Sequence, residues 1–186
     1  MSRLAYVALV ASAAACSDDP VSYSAPVGIN LKAKSADTQN GVVTDEKGIN
    51  TESGNPYGAF IAAARVELGR DPALIEVDSV ELFLGASSTG VSTLGEVFTG
   101  DVEVLFEMND TNNSYPVATA ALAASTSSGP FALAVTFPAD EIPDADFAKL
   151  LAGSFKVITR GPAAAAFTTK GADADIQATL TFAAFE

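Results

Sequence analysis

Asp101-Val102-Glu103-Val104-Leu105-Phe106-Glu107-Met108 is the stretch that decides the fold. Val102, Val104, Phe106 and Met108 fall at every second place, with Asp101, Glu103 and Glu107 between them. Successive side chains of an extended chain point to opposite faces. The stretch therefore reads as a strand with an apolar face inward and a carboxylate-bearing face in water. Phe131, Leu133, Val135 and Phe137 form the most regular face of this kind in the chain. Gly28 to Lys34 repeats it, with Ile29, Leu31 and Ala33 set against Asn30, Lys32 and Lys34.

Outward from these segments the chain continues to read as β. Ile75-Glu76-Val77 with Val80, Leu82 and Leu84 predicts one strand, or two joined by a bend at Asp78-Ser79. Tyr115 to Leu122, Ser154 to Thr159 and Ile176 to Phe182 add three more. Loops are marked by the Gly/Ser/Thr run 85–97, the turn cluster Asn109 to Ser114 and the stretch 125–129. Two short helices are expected. Asn55-Pro56 supplies an N-cap and a proline at the first helical position, and Gly69 stops a helix whose Tyr57, Phe60, Ile61, Ala64 and Leu68 recur at helical spacing. The second runs from Asp144 to Leu151, with Asp144 as its cap and Gly153 at its end. Residues 35–55, rich in Asp, Asn, Gly and Thr, predict a long loop with a small hairpin through Val42-Val43.

About seven strands in succession, without long helices between them, imply antiparallel pairing in a mainly β domain. Two packed sheets are the simplest way to hide so many one-sided apolar faces. An immunoglobulin-like β-sandwich with two short helices is thus the leading expectation, in architecture alone, since no Cys…Trp…Cys pattern is present. A small lipocalin-like β-barrel is the alternative, because a similar number of strands can close.

The amino terminus carries a different signal. Met1-Ser2-Arg3 is a short positive region, Leu4 to Ala15 is apolar and uncharged, and Ala13-Ala14-Ala15 precedes Cys16, the one cysteine of the chain. This is the three-part layout of a secretory signal. The stretch resembles the lipobox of bacterial lipoproteins, although Ala13 stands where leucine is commonest. The resemblance implies cleavage before Cys16, a lipid on that residue, and anchorage through it to a membrane. Ala13-x-Ala15 also fits an ordinary signal-peptidase site, which would leave Cys16 a free thiol. Ser17 follows the cysteine where inner-membrane lipoproteins tend to carry Asp, so the resemblance points to the bacterial outer membrane. Residues 1–15 are then a signal peptide, 16–26 the lipidated N-terminus and a polar tether, and 27–186 a single domain.

Composition prunes the function classes. The chain has 23 acidic and 10 basic residues, a net charge of −13, and no histidine or tryptophan. With no basic patch to neutralise phosphates, nucleic acid is not an expected partner. Without histidine, Ser-His-Asp and Cys-His machinery and His-containing metal sites are excluded. No Gly-rich phosphate loop is present. Carboxylate chemistry and oxygen-ligated calcium stay open.

Asp37, Asp45, Glu46 and Glu52, with nearby asparagines, are the calcium candidates, since that ion takes six to eight oxygen ligands. Asp140, Glu141, Asp144 and Asp146 form a second acidic group, and Asn109, Asp110, Asn112 and Asn113 a hairpin tip suited to carbohydrate contact. Carboxylates two apart (Asp101/Glu103, Glu76/Asp78, Asp173/Asp175) are the pairs a glycosidase would need, and on strands they share a face that is normally wet. The expectation is a non-enzymatic cell-envelope module for a protein or polysaccharide partner, without a cofactor. A carrier or assembly factor for an apolar ligand, and a carboxylate-based hydrolase, are the alternatives.

Overall fold

The computed structural model describes residues 21–186. Eight strands among them form one antiparallel sheet: β1 (Ser22–Lys34), β2 (Val42–Ile49), β3 (Leu74–Leu84), β4 (Gly100–Met108), β5 (Ser114–Leu122), β6 (Phe131–Val135), β7 (Phe155–Pro162) and β8 (Asp173–Phe185). Their order across the sheet is β1-β8-β3-β6-β5-β4-β7-β2. The two edge strands, β1 and β2, are consecutive in the chain and meet again at a seam, so the sheet curls into a nearly closed barrel.

The mainly β, antiparallel class is as the alternation predicts, but two separate sheets are not evident. Short β6 ties the halves together: Phe131 to Leu133 pair with β3, and Ala134 and Val135 pair with β5. The barrel is collapsed on its own side chains. Phe106 of β4 and Phe182 of β8, from opposite walls, stack at 5.9 Å, and Phe155 and Tyr57 join them edge-on or tilted. Both a sandwich and a flattened barrel bury one face of every strand, and the same alternation serves either.

Four expectations change in detail. β1 begins at Ser22, so residues 22–26 belong to the sheet rather than to a tether. Proline 26 is tolerated there because β1 is an edge strand with a ladder on one side only. The expected 35–55 loop contains strand β2 at its centre, in which only Val43 and Ile49 are buried. Its threonine, acids and lysine are what an edge strand carries to discourage pairing with other chains, and they hide the alternation. The predicted hairpin is one step earlier, a turn at Asn40-Gly41 with Gln39 and Val42 exchanging both backbone hydrogen bonds. On β6, only Leu133 of the regular face is fully buried, because that strand lies at the corner between the halves.

Helix α1 (Pro56–Leu68) forms as its caps dictate: the Asn55 side chain accepts the Tyr57 N–H, and Gly69 turns into the left-handed region at φ 68°. Tyr57, Phe60, Ile61, Ala64 and Leu68 face the core. Helix α3 (Asp144–Ala152) follows Pro143, and Asp144 makes no cap bond. Two further short helices, α2 (Leu94–Val97) and α4 (Ala165–Thr169), escape the sequence pattern because each is a turn or so long. In α2 the Thr93 hydroxyl accepts the Glu96 N–H, while the Glu96 carboxylate takes the Lys170 ammonium and both Ser92 donors and is held down to about 2.

Candidate functional site

The seam between β1 and β2 is where the barrel fails to close by strand pairing, and the residues there close it another way. The Asp45 carboxylate accepts the Lys32 N–H across the gap. Farther along, where the edges part, α1 packs alongside β1 and sends Tyr57 between the walls, its hydroxyl donating to the Leu150 carbonyl at 2.9 Å. Burial pushes the Tyr57 phenol far above its ordinary range. Burial also raises Asp45, against the pull of the N–H groups of Lys32 and Glu46, and the Glu46 and Asp37 charges raise it further. Opposite Asp45 on β7 sits Thr159, fully buried, with no partner for its hydroxyl among the described residues.

The calcium candidates divide. Asp37, Asp45 and Glu46 line one recess of about 410 Å³, together with Gln39, Val42 and Thr44. Glu52 lines a different one, with Thr51 and the first turn of α1. Glu46 is taken by the Lys156 ammonium at 2.9 Å. Among the described residues no three His, Cys, Asp or Glu side chains converge as a metal set would.

A polar centre that the sequence leaves scattered lies beneath the β4–β5 turn. Asp146, 1% exposed, accepts the Asn113 amide and the Tyr115 hydroxyl, both at 2.7 Å, on one oxygen. Its other oxygen takes the Thr111 hydroxyl at 3.2 Å and faces the Lys149 ammonium at 3.5 Å. These bonds, the Asn113 amide first, hold its carboxyl below the ordinary range despite burial. Burial, and then the bond to Asp146, push Tyr115 up to about 12. Lys149 also donates to the Asn109 carbonyl and the Thr111 hydroxyl. One member of the second acidic group, Asp146 in the first turn of α3, is thus latched to the Asn109–Asn113 turn, while Asp140, Glu141 and Asp144 are not. Asn109 is spent as well, on the Ser154 hydroxyl, so the Asn109 and Asn113 amides are engaged within the protein while Asn112 stays exposed. Only the position of Asp146 in the first turn of α3 hinted at this.

The carboxylate pairs are dispersed. Glu103 is bound by Arg160, and Asp78 accepts the Ser24 hydroxyl. Asp173 and Asp175 stand across the ladder from Lys34 and Lys32. With Ser87, whose hydroxyl donates to Asp175 at 2.6 Å, these four charges surround a recess of about 220 Å³. Glu76 shares a recess of about 230 Å³ with Asp140 and Glu141, while Asp144 is exposed elsewhere on α3. No helix among the described residues is long and apolar enough to cross a membrane. Cys16 lies outside the described residues. Compared with known proteins, the chain matches no family model, no curated protein and no solved structure.

Proposed function

We propose that the chain is a lipid-anchored protein of the bacterial outer membrane that works by surface contact, as a non-enzymatic binding or structural module for a protein or polysaccharide partner. The anchor rests on the leader and Cys16. The observation that carries the rest is the filled interior. Phe106, Phe155, Phe182 and Tyr57 occupy the centre of the barrel and are each essentially inaccessible to solvent. A collapsed barrel of this kind is read here as the finer architecture, in place of an immunoglobulin-like sandwich. It offers its outer face for recognition and gives little support to a carrier of apolar ligands, which needs an open lumen. The carboxylates two residues apart on the strands are taken up elsewhere, Glu103 by Arg160 and Asp78 by Ser24, which gives little support to a glycoside hydrolase built on those pairs. The Lys32, Lys34, Ser87, Asp173, Asp175 recess, which presents both charges on paired strands and a hydroxyl from the adjoining turn, is the surface best suited to a polar partner.

In-cell photo-crosslinking of the full chain tests this, with the reagent at position 34 or, as a control, at position 119 on β5. The expected result is a discrete adduct from position 34 that is lost when Lys32→Glu is added, or cosedimentation of the chain without the reagent with purified cell-wall polysaccharide that is lost in Lys34→Glu. Equal capture from both positions, with no polysaccharide bound, would sink the reading.

A further inference from the structure

Two of the three large apolar side chains left exposed among the described residues, Val21 at 42% and Val66 at 83%, mark the same end of the molecule. Val21 is where the described chain begins, and its N–H and carbonyl both engage Glu186. Glu186 in turn faces Arg70, just past the end of α1, at 3.4 Å. Tyr23, two residues into β1, stacks on Phe60 of α1 at 5.9 Å. Helix α1 therefore runs back along β1 and ends beside the point where the chain leaves toward Cys16. Its outward face over that run carries Ala59, Ala62 and Val66, flanked by the exposed Arg65 and Glu67. A strip led by a valine that is 83% exposed is more apolar than the outer face of a surface helix ordinarily is.

The length of the connection says what covers it. From Cys16 to Val21 is a span of five Cα steps, at most about 18 Å when fully extended. A lipid on Cys16 keeps Val21 within that distance of the bilayer, with Val66 at the same end of the molecule. We infer that the outer face of α1 docks on the phospholipid surface, so that the lipid and the helix together fix the orientation of the barrel. This rests on the lipidation of Cys16 proposed above. Arg65 and Arg70 are already matched by Asp71 and Glu186, and the chain as a whole is strongly acidic. The contact is therefore apolar, and it does not require anionic lipid.

The test uses the full chain purified from envelopes, carrying a fluorophore on Val66→Cys or, as a control, on Ser128→Cys. Ser128 bonds Leu84, at the end of β3 far from the Val21 end of the barrel, and both substitutions fall on exposed side chains. The protein is placed in uncharged phosphatidylcholine vesicles containing doxyl lipids, and its intact mass is recorded. An added diacylglyceryl mass, absent from Cys16→Ser, together with quenching at position 66 several-fold above that at position 128, is the expected result. The same mass with equal quenching at both positions overturns the docking and leaves the anchor standing. A mass without lipid overturns both. Shielding of position 66 that grows with protein concentration and ignores vesicles assigns the face to a second copy instead.

Discussion

At the residue scale the chain keeps its polar interior small and mostly satisfied. Asp146 is a buried carboxylate with four donors around it, and removing it takes the shared acceptor from the Asn113 amide and the Tyr115 hydroxyl. Asp146→Ala is expected to cost about 3 kcal/mol in chemical denaturation, because an unmet buried donor costs more than a made bond gains. The pH dependence has a definite sign. The native pKa of Asp146 lies below its ordinary value of 3.8, so its stabilisation is complete above that value. It is lost as pH falls through the depressed native pKa, and Asp146→Asn should flatten the acid limb of a stability profile below about pH 4. Thr159 is the opposite case, a buried hydroxyl with no partner among the described residues. Thr159→Val keeps the shape and removes the orphan, and should raise stability by about 1 kcal/mol, read as a higher Tm.

At the scale of elements, caps and alternation were sufficient where an element carries its own signal. Helix α1 was legible from Asn55, Pro56 and Gly69, and β4 from its clean period of two. β2 was not, because an edge strand with two buried side chains has hardly any period to read. Gly58 shows where a local rule yields to packing. Glycine inside a helix is ordinarily a weakness that alanine repairs. Here a Cβ would lie 2.9 Å from the backbone of Thr51, against which the first turn of α1 is pressed. Gly58→Ala is therefore expected to lower stability by about 2 kcal/mol, despite its better helix propensity. An increase in Tm would show that the Thr51 segment yields freely.

For the whole molecule, two features decide whether the barrel stays shut. One is the aromatic centre, where Phe106 touches Phe137, Phe155 and Phe182. Phe106→Ala should cost about 4 kcal/mol and broaden near-UV circular dichroism changes across the aromatic region. The other is the seam. Asp45→Ala removes the acceptor of the Lys32 N–H and is expected to lose about 1 kcal/mol. Asp45→Asn keeps an acceptor and drops the charge. Because burial raises the native pKa of Asp45, wild type loses stability as pH rises from 3.8 through that value. The asparagine variant should thus match or exceed wild type at neutral pH, with the gain vanishing in acid. Sequence alone determined the mainly β class, the capped helix α1, the exclusion of histidine chemistry and the expectation of a lipidated Cys16, because each is written in residues close together in the chain. Only the tertiary structure decided that the sheet is one curled surface, that Asp146 gathers Thr111, Asn113, Tyr115 and Lys149, and that α1 packs against β1 and β8. Those outcomes depend on which distant faces meet, and alternation within a strand specifies that a face is buried without specifying what it is buried against.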